Sequence, residues 1–463
     1  MAGTILSVDI GSSSLKAALI DFSGKLRAWS RAAYSRSTYS GDVDAISWEK
    51  AFIQTTNNLR DKLDNCPVEG ICISGNGPTL VPVTAEGDAL PPLFWYGGKT
   101  EARAEAKDKA KSFFLPHAAW FKKNAPEKYA ETKLFISSHE WLAHRLGAEA
   151  LTVLPQPSYE TFYWDDEQLR FFGLDRDKFP PFVKTGAIMG KVSAEAVSFF
   201  SSGSLIKDGT PIIAGGPDFI TALIGTGTME RGDVCDRAGS SEGVNVCTGA
   251  PLNTKQPDDF RILPHAREGL WNVGVLIPQS GRLFEWYRAK TGQESRAYED
   301  LLTELIPSNE DGDAKLHFKE SSDPELMRNL LSPFSRILPT GDSRPELLRN
   351  KIYFGRAVLC SMGLAVRTAI GKLEASGLSV KEMKLSGGQV KNVRWNQLKA
   401  DISGVKLLVP QITDGELAGN AALAAAALEK TSIEETVRRM IRITDVYKPL
   451  PENAAFWTER GKG

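Results

Sequence analysis

The feature that most constrains this chain is a pattern that occurs twice. Residues 4–10 (TILSVDI) are an apolar run rich in β-formers, 11–14 (GSSS) a small-residue loop, and 15–20 (LKAALI) a second apolar run, closed by the turn signal DFSGK before LRAWSRAAY resumes. The run 15–20 is too short for a helix, so the segment reads as strand, loop, strand, turn, strand. That is an antiparallel meander with a Gly/Ser loop between its first two strands. At 232–248 (GDVCDRAGSSEGVNVCT) the pattern partly recurs: a mixed strand, Gly-Ser-Ser, then an alternating segment with Val244 and Val246. The recurrence predicts two related domains, each offering a Gly/Ser loop, with a boundary near residue 236 that divides the chain into 1–236 and 237–463.

Length supports the duplication, because 463 residues exceed what one hydrophobic core usually serves. With 42% hydrophobic and 24% charged residues the chain can bury a large core without metals or disulfides. Lys and Arg total 56 against 57 Asp and Glu, with no run of five like charges, which argues against nucleic acid or a membrane surface as partner. A small, uncharged substrate fits this balance, and a homodimer is compatible with it. Cys66, Cys72, Cys235, Cys247 and Cys360 are scattered, with no C-x-x-C pair, and read as reduced core thiols. The start MAGTILSVDIGSSS has no basic leader, and no stretch of 18 apolar residues occurs, so a cytoplasmic location is expected.

Between the two repeats the reading is coarser. A helix is expected over 48–64, then a strand in EGICISGNGPTL ending in a Gly/Asn/Pro loop, a strand with a turn in LVPVTAEGDAL, and helical stretches over 100–113 and from Glu127 to Leu146. Residues 209–227 (GTPIIAGGPDFITALIGTG) read as a buried strand, a Gly-Gly-Pro-Asp turn and a helix opening at Asp218. Beyond the second repeat come a helix with Phe284 and Trp286, a polar stretch over 305–346, and a long amphipathic helix over 351–375. KEMKLSGGQVKNVRWNQLKADISGVKLLVP then reads as strand, Gly-Gly turn, helix and strand, and an Ala-rich helix follows at 416–429.

Successive backbone N–H groups in a tight turn of small residues hold phosphate well. Gly11-Ser12-Ser13-Ser14 meets that requirement with Lys16 nearby, although a plain hairpin turn has the same composition. Asp9, at a strand end just before the loop, could hold Mg2+ through water beside the phosphates. Gly239, Ser240 and Ser241 would supply a second wall. Asp218 follows Gly215-Gly216-Pro217 at a strand-to-helix corner; by position it is a helix cap, and by chemistry it is the carboxylate that could take a proton from an attacking hydroxyl. The turn SGGQVKN (386–392) has little side chain near its glycines, which suits a flat ring such as adenine, though Gly-Gly is also a common connector. The strand-to-helix Walker pattern G-x-x-x-x-G-K-[ST] is absent, as are H-x-x-x-H and G-x-S-x-G, so P-loop, zinc-hydrolase and serine-hydrolase chemistries are unsupported. Trp271, Trp286 and Trp395 lie among apolar neighbours and read as core.

Taken in order, DIGSSSLKAALID, SGNGPTLVPVTAEGDALPPLFW, GTPIIAGGPDFITALIGTG, AGSSEGVN, SGRLFEW, LSGGQVKNVRWNQLKADISG and ELAGNAALAAAAL resemble the FGGY family of carbohydrate kinases over nearly the whole chain. The resemblance implies an α/β chain with two ribonuclease H-like, actin-like ATPase domains flanking an interdomain cleft for ATP and a sugar or polyol. It implies Asp218 as general base and Asp9 as the Mg2+-associated carboxylate. Ser12, Ser13, Ser14 and Lys16 match the first phosphate loop, and Gly239, Ser240 and Ser241 the second. Gly281, Glu285, Gly387, Gly388, Gln389 and Asn392 match the nucleotide contacts, while Asn76, Gly77 and Pro78, with Asp218 and Phe219, match the substrate side. The chain departs from the xylulokinase-like Gln-Met-His-Gly at Gly75-Asn76-Gly77-Pro78, from Trp-x-Asp-x-Arg at 95–99 (WYGGK), and from His-Asp-Gln at Pro217-Asp218-Phe219. These departures touch sugar recognition more than nucleotide handling. A sugar-binding sensor or a chaperone-like ATP-regulated protein on the same scaffold is the second reading.

Overall fold

Thr4–Ile10, here β1, is buried at every position, a pattern possible only for a strand with neighbours on both edges and covered faces. In the computed structural model, which describes residues 3–34, 43–62, 66–94, 111–200, 205–306, 332–335 and 350–460, β1 pairs antiparallel with β2 (Ser14–Asp21) and parallel with β4 (Val68–Gly75). β2 pairs in turn with β3 (Leu26–Ala33), so the expected meander forms, with Gly11 N donating to Ser14 O at 3.1 Å across its loop. A small sheet is made of β5 (Thr79–Thr84), β6 (Leu93–Phe94) and β7 (Thr132–Ile136), and a two-stranded one of β8 (Thr152–Leu154) and β9 (Phe182–Lys184). With β10 (Ile188–Lys191) and β11 (Pro211–Pro217) the main sheet runs β10-β11-β4-β1-β2-β3.

Helices that cover that sheet include Ala45–Arg60, Ser138–Arg145 and Gly415–Glu429. Ala45–Arg60 starts where Asp44 accepts from Ser47 N at 2.7 Å, and it buries Trp48, Phe52 and Leu59. The Ala-rich helix Gly415–Glu429 is buried from Gly415 through Ala426, as a helix apolar on all sides must be.

The second sheet repeats the first. β12 (Val234–Ala238) and β13 (Glu242–Thr248) are antiparallel, β13 pairs with β15 (Trp271–Ile277), and β12 runs parallel to β16 (Glu382–Ser386), which runs parallel to β17 (Lys406–Pro410). With β14 (Arg261–Pro264) and β18 (Ile443–Tyr447) at its edges the order is β14-β15-β13-β12-β16-β17-β18. β12 thus plays the part of β1, and the Gly239–Ser241 loop that of the loop at Gly11. The 25-residue helix Lys351–Ala375 buries Val358, Val366, Ile370 and Leu373 in this unit.

The units are interleaved along the chain rather than parted by one cut near residue 236. One comprises Met1–Gly227, Pro264–Glu268 and Gly415–Ile441; the other Thr228–Leu263, Gly269–Asp414 and Arg442–Gly463. The return is dictated by glycine. A Cβ on Gly225 would lie 1.9 Å from Gly415 O and one on Gly419 would lie 1.9 Å from Thr221 O, so two helix backbones touch where no side chain fits.

The expected helix from Glu127 to Leu146 is instead a helix at Pro126–Glu131, the strand β7, and a helix at Ser138–Arg145, because β7 pairs antiparallel with β5. All five cysteines are free, four of them buried. Among the described residues no helix is long and apolar enough to cross a membrane. The stretch 100–113 falls largely outside the described residues, as does most of 305–346.

Candidate active site

In the first unit, β11, β4 and β1 are adjacent and parallel, and their carboxyl ends bring together residues far apart in sequence. Asp9 and Gly216 both register with Ser74, one on each side of β4. Gly215 is required there, since a Cβ would stand 2.1 Å from Ile73 O, and Gly216 holds φ +121°, a region that side chains rarely adopt. The register shift between Ala214 and Gly216 turns the chain into the helix Asp218–Gly225. Its N-cap position is held by Pro217, so Asp218 is the first helical residue and the capping expectation is corrected. Asp218 is half-buried, at the end of a rigid corner in an open α/β sheet where ligands characteristically bind.

Asp9 is buried, and Ser74 Oγ donates to its Oδ1 at 2.9 Å. Asn420 Nδ2 donates to Ser74 Oγ at 2.9 Å and to Val8 O at 2.8 Å. Burial, then the charge of Glu416, push the Asp9 carboxyl up to about 7; Asp218 adds to the rise, while Lys16, its partner across β1 and β2, and the Ser74 hydrogen bond oppose it. Asp9 is thus near enough to Glu416, Asp218 and Lys16 to feel the charge of each. Glu416 escaped the sequence reading, and the available signal was an isolated acid at the start of an Ala-rich apolar helix. Among the described residues no group of three or more His, Cys, Asp or Glu is close enough to chelate a metal directly.

In the first Gly/Ser loop, Ser12 is half-buried and Ser13 exposed. Ser14 is the buried first residue of β2, and its Oγ accepts from Arg31 Nε at 2.9 Å, so it serves the strand more than the loop. On the expected substrate side, Asn76 N donates to Ile10 O at 2.8 Å and Asn76 Oδ1 accepts from Thr79 Oγ1 at 3.0 Å. Its buried Nδ2 has no hydrogen-bond partner among the described residues, and space is open at Gly77, which precedes Pro78. Phe219 is half-buried beside Asp218. His139 was not anticipated. A Cβ on Gly75 would lie 3.1 Å from its Nδ1, both ring nitrogens are buried without hydrogen-bond partners among the described residues, and burial pushes it down to about 3, so the ring is neutral. The segment at 95–99 lies outside the described residues.

In the second unit the structure gathers three predicted segments. Arg282 N donates to Ser240 O at 3.0 Å, and a Cβ on Gly281 would lie 2.2 Å from Gly239 O, so the helix Ser280–Lys290 opens directly against the Gly239–Ser241 loop. Gly387, at φ +113°, packs as closely, its absent Cβ 1.9 Å from Ala238 O. After Gly388, the Gln389 amide is buried, and neither its oxygen nor its nitrogen has a hydrogen-bond partner among the described residues. Such a group costs stability unless something fills its valences. Asn392 is otherwise committed: Oδ1 caps the helix Val393–Ser403 through Trp395 N at 2.8 Å and Nδ2 donates to Glu299 Oε1 at 2.8 Å. Glu285 is half-exposed and takes both its bonds from Arg288 at 3.0 Å.

Two related α/β units, each carrying a Gly/Ser loop, with a carboxylate corner in the first, make up the architecture that the sequence resemblance implies. Two family models match the chain: the FGGY family of carbohydrate kinases, N-terminal domain, over residues 110–225, and its C-terminal domain over 237–428. The chain belongs to the FGGY family of carbohydrate kinases. It is 22% identical to an autoinducer-2 kinase of Salmonella paratyphi B over 98% of this chain and 92% of that protein, and 23% identical to a xylulose kinase of Bacillus subtilis over 97% and 93%. Among solved structures, a gluconate kinase from Lactobacillus acidophilus shares the fold with TM-score 0.76 at 19% identity, covering 99% of this chain and 96% of that one.

Proposed function

We propose that this kinase uses ATP to phosphorylate a hydroxyl of a small ketose or polyol, with Asp218 as general base. The observation that carries this reading is the arrangement of Asp9 and Asp218 at the carboxyl ends of β1 and β11 on either side of β4, close enough for Asp218 to raise the Asp9 carboxyl. Asp218 accepts the proton of the acceptor hydroxyl as its oxygen attacks the γ-phosphorus; the new P–O bond forms while the bond to the leaving ADP oxygen breaks.

Each unit carries candidate binding residues. In the first, the Gly11–Ser13 backbone and Lys16 bind phosphate oxygens, while Asn76 and the Gly77-Pro78 turn hold the acceptor, Asn76 Nδ2 offering a hydrogen to a sugar oxygen. In the second, Gly239–Ser241 and Gly281 hold phosphate, and Gly387 and Gly388 let adenine lie on the backbone with Gln389 free to meet it. Glu285 and Asn392, engaged with Arg288, Glu299 and Trp395, make lesser contributions. The buried Asp9 carboxylate, with Glu416 and Asp218 near enough to raise it, fits Mg2+ held through water, and Asp9 is the residue that would hold it. When bound, the ion supplies charge neutralisation at the phosphates.

The candidate acceptors are pentuloses, hexuloses, polyols and sugar acids, in keeping with relatives named for different substrates. No observation favours a binding-only protein. The reading is tested by following ADP release across that panel of acceptors: one acceptor giving saturable turnover supports it, and silence on all of them despite measurable sugar binding contradicts it.

A further inference from the structure

Behind the second Gly/Ser loop lies a buried ion triad that phosphoryl transfer does not use. Lys399, on the helix Val393–Ser403, has 1% of its side chain exposed and donates from Nζ to Asp236 Oδ2 and Glu242 Oε1, both carboxylates fully buried. Glu242 Oε2 accepts from Ser280 Oγ. Asp236 on β12 and Glu242 on β13 share a sheet face, since Asp236 registers with Val244 and Ala238 with Glu242.

Taking three charges out of water costs several kcal/mol for each ion, and such triads can often be replaced by apolar side chains without loss of stability, so stability alone is a weak reason to keep one. Its placement offers another. Glu242 directly follows Ser241, Ser280 directly precedes Gly281, and Lys399 stands on the helix that Asn392 caps after the Gly387-Gly388 turn. Glu242 and Ser280 thus border two of the segments assigned to nucleotide, and Lys399 stands on the helix that follows a third.

We propose that Lys399 is a positioning residue for ATP, fixing the Gly239–Ser241 loop against the opening of the Ser280–Lys290 helix through Glu242, Asp236 and Ser280. It touches no substrate, and the inference rests on the reading of the second unit as nucleotide-binding. Small displacements of positioning groups cost up to about a hundredfold. Lys399→Met in the full chain is therefore expected to weaken ATP binding, measured by calorimetry with ATP as titrant, by about tenfold to a hundredfold. Because Lys399→Met leaves two buried carboxylates on one face, the neutral triple variant D236N/E242Q/K399M is measured beside it. That variant is expected to regain the wild-type melting temperature while ATP affinity stays low, a separation that a merely structural role would not give. A folded K399M or triple variant that binds ATP as the wild type does overturns the inference alone. A wild-type chain that binds no ATP overturns the kinase reading and the inference with it.

Discussion

Ser74 donates its hydroxyl hydrogen to Asp9 Oδ1 at 2.9 Å, and Asn420, from a helix more than three hundred residues further along the chain, holds Ser74 in place. The buried carboxylate is thereby held by Ser74, which the helix bearing Asn420 fixes in turn. Groups that orient a metal-associated carboxylate, the role proposed for Asp9, typically matter about tenfold to a hundredfold. Ser74→Ala is expected to lower kcat/KM by about tenfold with little change in unfolding free energy, read by steady-state kinetics beside urea denaturation. Unchanged kinetics would show that Asp9 needs no such support.

The contact of Gly225 with Gly415 O makes a second prediction. A methyl placed 1.9 Å from a backbone oxygen must separate two helices that start with Asp218 and Glu416 in their first turns. Gly225→Ala is expected to destabilise the chain by roughly 3 kcal/mol, in the upper range for overpacking, measured from the urea midpoint at constant slope. A shift within experimental scatter would mean that the helices part without cost.

Glu140 gives a pH signature. It is buried at the start of the helix Ser138–Arg145, accepting from Ser137 N at 2.6 Å and Val153 N at 2.7 Å, and burial outweighs these bonds and pushes its carboxyl up to about 7. The folded chain then holds this proton more tightly than the unfolded chain, so the contribution is fully present below the ordinary value of 4.5 and lost as pH rises through 7. Glu140→Gln keeps an acceptor without the charge. The stability of wild type relative to Glu140→Gln should fall by on the order of 3 kcal/mol across that window. A difference independent of pH would contradict it.

Much of the frame is legible in the sequence because it is local. The β1-to-β3 meander, the helix at 351–375 and the corner at Asp218 each follow from runs, turns and glycines within a few residues. β7 is not legible, since its strand state comes from pairing with β5 some fifty residues away. Glu416 and Asn420 reach the site only because Gly225 and Gly419 let two helix backbones touch. Lys399 meets Asp236 and Glu242 across more than 150 residues, with no motif to announce it. The cap role of Asp218 was the natural local reading, and it fails because the glycine bulge in β11 moves the cap position to Pro217.

In the proposed mechanism Asp218 takes the proton from the acceptor hydroxyl. Asp218→Asn keeps the size and hydrogen-bonding reach of the side chain and removes its basicity, and a general base is worth about two to four orders of magnitude. The decisive measurement is kcat of Asp218→Asn on the acceptor found in the panel, alongside ATP affinity by calorimetry. Loss of the base lowers kcat by about two to four orders of magnitude with ATP affinity intact; near-normal kcat in the folded variant would show that Asp218 is not the base.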